Sequence, residues 1–277
     1  MNPSTGVGRA PTVGRGPAPF DVRGFARTAQ GSLRDEFDLE AIARAGLAPE
    51  CRRTLAALAE LEGATMAYLR NVLVTATHKD ARVTAFLVSW AYEKYWIADA
   101  LRRIAGEAED PEDRAAGIAT SGRGPVRRAL AGFVQGFDVI GAHLALGYVD
   151  DLVLDLAYAR LAAAAIPIAT DPGAAGPALG DLIARIRAIK SRHTAFFEGE
   201  TCRRLGASPR AARLARREIR RSPWPLGGAA VGAAERAAFV RFATSDGAAV
   251  AALARGIRSL PGLDDRTATA VVRRLGA

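Results

Sequence analysis

Trp90-Ala-Tyr-Glu-Lys94-Tyr-Trp-Ile97 and Ile189-Lys190-Ser-Arg-His193-Thr-Ala-Phe-Phe197 are the two stretches whose reading decides the fold. Phe86, Trp90, Lys94, Ile97 and Leu101 step by four, four, three and four residues and so share one face of a helix. Ile186, Lys190, His193 and Phe197 repeat the pattern. Each stripe is apolar apart from its lysine and, in the second, its histidine. The spacing predicts two long helices that carry Lys94 and Lys190 into a core.

Working outward, the chain reads as helices separated by Gly, Pro and polar turns. Residues 1–25 are rich in Gly, Pro, Ser and Thr and lack periodicity, which predicts a disordered arm. A short helix is expected over Leu33 to Ala45. Pro49 opens a helix over about 50–76, with Leu55, Leu58, Met66, Leu69 and Leu73 at helical spacing and Glu62 on the same side. His78 falls in the turn Thr77 to Asp80. The Lys94 helix is expected over about 82–106, ended by Gly106, and Glu107 to Gly124 reads as a polar connection. A third long element over about 125–165 contains Gly132, Gly136, Gly141 and Gly147, so a break is expected near 136–141. Pro167 to Pro177 reads as a loop, and the Lys190 helix follows over about 178–205. An arginine-rich helix to Arg221, a break at Pro223 to Gly228 and two or three short helices after Ala233 complete the chain. No segment has the period of a strand. The class is all-α, divided into the arm, a helical body over 26–232 and a C-terminal helical extension over 233–277.

Composition narrows the functions. The chain has 277 residues, 49% hydrophobic and 6% aromatic, which suits close-packed helices. No stretch approaches the roughly 18–20 apolar residues of a membrane span, and no secretory signal is read at the N-terminus, so a cytoplasmic protein is expected. Cys51 and Cys202 lie in different expected helices without metal-ligand spacing and read as reduced structural thiols. The net charge of +9 is densest at Arg203 to Arg221. No nucleic-acid motif accompanies that cluster, so no specific nucleic-acid partner is expected.

The four long helices pair as two hairpins with a pseudo-repeat. Glu62 precedes Lys94 by 32 residues, and Asp151 precedes Lys190 by 39. Each half offers an acid on its first helix and a four-residue motif on its second, the layout of a carboxylate-bridged di-iron bundle. Residues 62–101, Ser191 to Phe197, and Ala207 through the Trp224-Pro-Leu-Gly segment resemble a ferritin-like family related to acyl-carrier-protein desaturases. The resemblance spans roughly residues 50–265 and implies a ferritin-like four-helix bundle with additional C-terminal helices. It also implies six metal ligands. The first-helix glutamate falls on Glu62. The second-helix Glu-x-x-His falls on Lys94 and Ile97, and the third-helix acid on Asp151. The fourth-helix Glu-x-x-His falls on Lys190 and His193. Half of that set is lost, and Glu93 cannot take over from Lys94 because one residue rotates about 100° around a helix. No metal or other cofactor is expected.

Charge supplies the alternative. A di-ferrous site with four carboxylates is balanced, and exchanging two carboxylates for ammonium groups supplies the positive charge of the metals. Glu62, Asp151, Lys94 and Lys190 therefore form a neutral quartet, predicted to be a salt-bridge cluster. Asp155 and His143, one and two turns from Asp151, could extend it, and Tyr68, Tyr92, Tyr95 and Tyr158 read as packing. Two functions follow. In the first, Lys94, Lys190, His193, Asp151, Glu62 and Asp155 form a metal-free acid/base site, with lysine pKa values lowered by burial. Its substrate would be an apolar biosynthetic intermediate undergoing cyclisation, isomerisation or condensation. The resemblance implies a long apolar substrate cavity; in this reading the substrate could ride on an acidic carrier protein, which would suit the basic helix around Arg210–Arg221, and a homodimer is also compatible. In the second, the quartet is structural, and the protein binds a partner or ligand without catalysis. An oxidase with a non-standard iron site on Glu62, Asp151 and His193 is the third possibility.

Overall fold

The computed structural model describes residues 19–106, 136–165 and 176–276, and among these every regular element is helical. In chain order the α-helices are α1 (Val22–Arg27), α2 (Leu39–Arg44), α3 (Pro49–Gly63), α4 (Thr65–Leu73), α5 (Ala81–Ala105), α6 (Asp138–Ala165), α7 (Gly176–Ala207), α8 (Pro209–Arg221), α9 (Ala233–Ala243), α10 (Gly247–Ser259) and α11 (Asp265–Leu275). No single helix among them is long and apolar enough to cross a membrane.

Local sequence explains the long elements. Asp80 caps α5, its carboxylate accepting from the Val83 N–H at 3.0 Å. Gly106 closes α5 in the left-handed region at φ 81°, behind Arg102 and Arg103, which complement the helix dipole. Helix α6 is buried along almost its whole circumference and forms the centre of the molecule. Its most extensive partner is α7, while α3 pairs most extensively with α5. Gly147 lets α6 and α7 approach closely: a Cβ there would stand 2.7 Å from the Phe197 ring. Helix α8 begins with Ser208 as cap and Pro209 in its first turn, buries Ala211, Ala212, Ala215 and Ile219 against α6 and turns its arginines outward. Of the C-terminal helices, α9 packs on α3 and α6, and α10 packs on α6 and α11.

Three boundaries differ from the sequence reading. Residues 1–18 of the expected arm lie outside the described residues, but 22–27 form α1, capped by Asp21. Phe20 and Phe25 drive this, joining Phe86 and Phe196 in an aromatic cluster in which the last two rings stack at 3.7 Å. The expected helix over 33–45 is a 3-10 turn, Leu33–Asp35, followed by α2, because Asp38 starts a new helix by accepting from the Ala41 N–H. The expected helix over 50–76 is interrupted at Ala64, just after Gly63, and its tail becomes the 3-10 turn Ala76–Lys79. The third element is described from Gly136, where φ is 57°, and α6 begins at Asp138, within the interval where a break is expected; residues 125–135 lie outside the described residues. Gly132, the connection 107–124 and residues 167–175 of the expected loop lie outside the described residues.

Candidate functional site

Glu62 sits in the last turn of α3, Lys94 in the middle of α5, Asp151 in α6 and Lys190 in α7. The structure brings these four together. Lys190 Nζ lies 2.8 Å from Asp151 Oδ1 and 2.9 Å from Glu62 Oε1. Lys94 Nζ lies 2.8 Å from Glu62 Oε2, an ion contact off the hydrogen-bond axis. Tyr158 on α6 donates its hydroxyl to Glu62 Oε1 at 3.0 Å, so Glu62 is held from three helices besides its own. Aromatic faces lie beside both cations, with Lys94 Nζ 4.9 Å from the Trp90 ring and Lys190 Nζ 5.7 Å from that of Tyr158. None of the four charged side chains is more than 4% exposed.

Pairing overrides burial in setting their protonation. Burial alone would push the Glu62 carboxyl upward, but Lys190 and Lys94 outweigh it and hold it at about 2. Burial pulls Lys190 downward, yet Asp151 and Glu62 outweigh that and raise its pKa above the ordinary lysine value. The expectation of lowered lysine pKa values is therefore corrected for Lys190. Burial in a low-dielectric site favours neutral lysine only when no carboxylate is at hand, and here two are.

His193 is one turn beyond Lys190 and wholly buried, but it faces a second cluster. Its Nε2 stands 2.6 Å from Glu93 Oε2. A carboxylate at that distance only accepts, so Nε2 carries the proton and Nδ1 is left as a buried acceptor without a hydrogen-bond partner. Burial lowers the His193 pKa against the opposing pull of Glu93, keeping the ring neutral at pH 7. Glu93 also accepts from the Gln30 N–H at 2.7 Å and from Arg192. The Phe25 ring stands edge-on to His193 at 6.0 Å.

Asp155 does not belong to either cluster. It forms a two-bond pair with Arg187 at 2.8 and 3.0 Å and is 43% exposed, because the turn from Asp151 to Asp155 carries it around α6 towards solvent. His143 also stays apart: its Nδ1 faces Thr77 Oγ1 at 3.1 Å, and loss of hydration lowers its pKa to about 4. Tyr68 donates to the His143 carbonyl at 2.9 Å, while Tyr92 and Tyr95 are exposed. His78 lies in its turn, with Nδ1 2.6 Å from the Thr75 carbonyl.

Sequence reasoning missed Glu93, Tyr158 and Asp150 as members of the buried polar network. Asp150 accepts from the Leu226 N–H at 2.7 Å, anchoring the segment after the Trp224–Pro225 cis peptide. Burial pushes its carboxyl up to about 7, against the opposing field of Lys94. The available signal was an acid within a long, otherwise apolar helix.

The six-ligand metal set implied by the resemblance does not fit these residues. Ammonium groups occupy the first contact sphere of Glu62 and Asp151, and Lys94, Ile97 and Lys190 stand where three of the ligands would be. No group of three or more His, Cys, Asp or Glu among the described residues could hold a metal ion. On the basic helix, Arg213, Arg220 and Arg221 are exposed and have no ion-pair partner among the described residues, whereas Arg217 meets Glu218 at 2.8 Å. No family model, curated protein or solved structure matches the chain.

Proposed function

We propose that the chain is a ferritin-like helical protein in which a neutral ion cluster replaces a di-metal centre as structural core, and that it acts by binding rather than by chemistry at that centre. The observation that carries this reading is Glu62: its carboxylate is 0% exposed and is engaged at once by Lys94, Lys190 and Tyr158. A catalytic lysine needs a share of neutral amine and a route for substrate, and a paired, buried, raised-pKa ammonium supports neither. The pairings α3 with α5 and α6 with α7, with one member of the cluster on each helix, support the ferritin-like assignment. So does His193, whose Nε2 on a carboxylate and free Nδ1 match the outer-sphere arrangement of a metal-ligating histidine.

The test restores the ligands. The variant Lys94→Glu/Ile97→His/Lys190→Glu is expected to bind two Co²⁺ per chain, read by visible absorption and equilibrium dialysis, while the parent binds none. A folded variant without Co²⁺ affinity overturns the ferritin-like correspondence. Two irons bound per parent chain through Glu62 and Asp151 overturn the structural role of the lysines.

A second reading keeps acid/base catalysis in the same interior, and Asp150 favours it: a buried carboxyl held at about 7 is suited to proton exchange at neutral pH. It requires solvent to reach Trp90, which is 3% exposed. Acrylamide quenching of a Trp96→Phe/Trp224→Phe variant separates the readings, because a closed core protects Trp90 and an opening channel exposes it.

A further inference from the structure

Beyond the buried clusters, a cleft of about 590 Å³ opens between the Pro223–Gly228 segment, α9 and the end of α11. Its size falls within the about 300–1,000 Å³ of ordinary small-molecule sites. No residue of the buried clusters lines it. Pro225, Val240 and Leu275 supply apolar wall, and Leu275 and Pro225 are themselves buried, so the wall is fixed. Trp224 is anchored behind it by donating its indole N–H to the Ile219 carbonyl at 3.2 Å.

Arg236, Arg241 and Arg274 converge on the same cleft, and none of its described lining residues is acidic. Arg236 spends one N–H on the Gly228 carbonyl at 3.2 Å. Arg241 and Arg274 are exposed and have no hydrogen-bond or ion-pair partner among the described residues. Elsewhere on this surface, arginines such as Arg34, Arg185 and Arg187 are matched to carboxylates. Three guanidinium groups around one concavity repel each other, and an anion seated among them relieves that repulsion while accepting planar, charge-assisted hydrogen bonds.

We propose that this cleft binds an amphipathic organic anion: an apolar body against Pro225, Val240 and Leu275, and a carboxylate or phosphate head at Arg241 and Arg274. The two parts of the ligand answer two parts of the cleft. Neither half alone is expected to bind well.

The full-length protein is titrated with 8-anilinonaphthalene-1-sulfonate, followed by fluorescence, and the bound probe is displaced with octanoate, octyl phosphate, inorganic phosphate and octanol. Octanoate or octyl phosphate is expected to displace it at concentrations at least tenfold below those of phosphate and octanol, and the better of the two identifies the head group. Arg241→Gln/Arg274→Gln is expected to weaken the probe at least tenfold, and Ala237→Glu, which places a carboxylate in the cleft, to abolish its binding. Both variants alter exposed side chains, and unchanged thermal midpoints establish that they fold. Arg221→Gln, outside the cleft, is expected to bind as the parent does. The proposal is overturned if the probe does not bind, if the double arginine variant binds it normally, or if inorganic phosphate competes as well as octyl phosphate.

Discussion

Glu93 and Lys94 are neighbours on α5, and both are buried, yet they serve different clusters: Lys94 meets Glu62, and Glu93 meets His193. The helical rotation of about 100° per residue separates them. It sends one towards α3 and the other towards α7 and the Gln30 turn. The two clusters meet at α7, where Lys190 and His193 are one turn apart.

The quartet is expected to behave as a unit. Lys190→Met leaves Glu62 and Asp151 short of a partner in the interior and is expected to cost about 3–5 kcal/mol in urea unfolding. Replacing the whole set, Glu62→Met/Lys94→Met/Asp151→Leu/Lys190→Met with Tyr158→Phe, removes every ion and the orphaned hydroxyl together. That variant is expected to be folded and at least as stable as Lys190→Met. A larger loss than in the single variant refutes the view that the cluster is structural filling.

Asp150 should leave a mark on the pH dependence of stability. Its folded pKa of about 7 lies above the ordinary 3.8, so its contribution is fully present below 3.8 and is lost as pH rises to about 7. His143, lowered to about 4, has the opposite slope between 4 and 6.5 and obscures the effect in the parent alone. The difference between Asp150→Asn and parent isolates it. The stability of the variant relative to the parent is expected to rise with pH by about 1.4 kcal/mol per unit over this window and to level off above pH 7. A flat difference shows that Asp150 is ionised in the folded protein.

Glu62 acts at the acid end. Its folded pKa of about 2 lies below the ordinary 4.5, so its stabilisation is present above pH 4.5 and is lost as pH falls towards 2. Acid unfolding of the parent is expected within that window. Glu62→Gln is expected to be less stable at neutral pH and to show a shallower acid limb in urea titrations at graded pH.

Much of the interior was legible because it rested on helical period. Lys94 and Lys190 each interrupt an apolar stripe, while Glu62 and Asp151 came from the two-hairpin pseudo-repeat and the ligand positions that the resemblance implies. Asp155 was misread because a step of four residues along α6 crosses from the core to the rim, where Arg187 waits. Glu93 was invisible for another reason. Besides His193, its partners are Gln30, in a segment read only up to its edge, and Arg192, a residue type ordinarily assigned to solvent. Such contacts depend on tertiary placement, which local period does not encode.

Histidine nitrogen shifts provide a direct check on the second cluster. His193 is expected to show the Nε2–H tautomer and to be mainly neutral at pH 7, in keeping with its lowered pKa. Glu93→Leu removes the acceptor that fixes this tautomer and leaves Arg192 without its carboxylate. A His193 ring that is doubly protonated at pH 7 contradicts the arrangement.

Close packing of α6 on α7 makes Gly147 intolerant of growth. Gly147→Ala pushes a methyl group into the Phe197 ring, itself wedged against Phe86 and Trp90 at 5.2 and 5.5 Å. The expected destabilisation is about 1–3 kcal/mol by thermal or urea unfolding, and an unchanged midpoint indicates a looser contact than described.

The short helix α1 and the turn behind it act as a stopper. Phe25 caps the His193 ring, Gln30 supplies an N–H to Glu93, and the Thr28 carbonyl holds Arg192. A protease cutting ahead of Leu33 would uncork this side of the bundle, hydrating an otherwise dry carboxylate and letting His193 take up a proton at ordinary acidity. Trimming the leading end is therefore no neutral convenience for anyone preparing this protein.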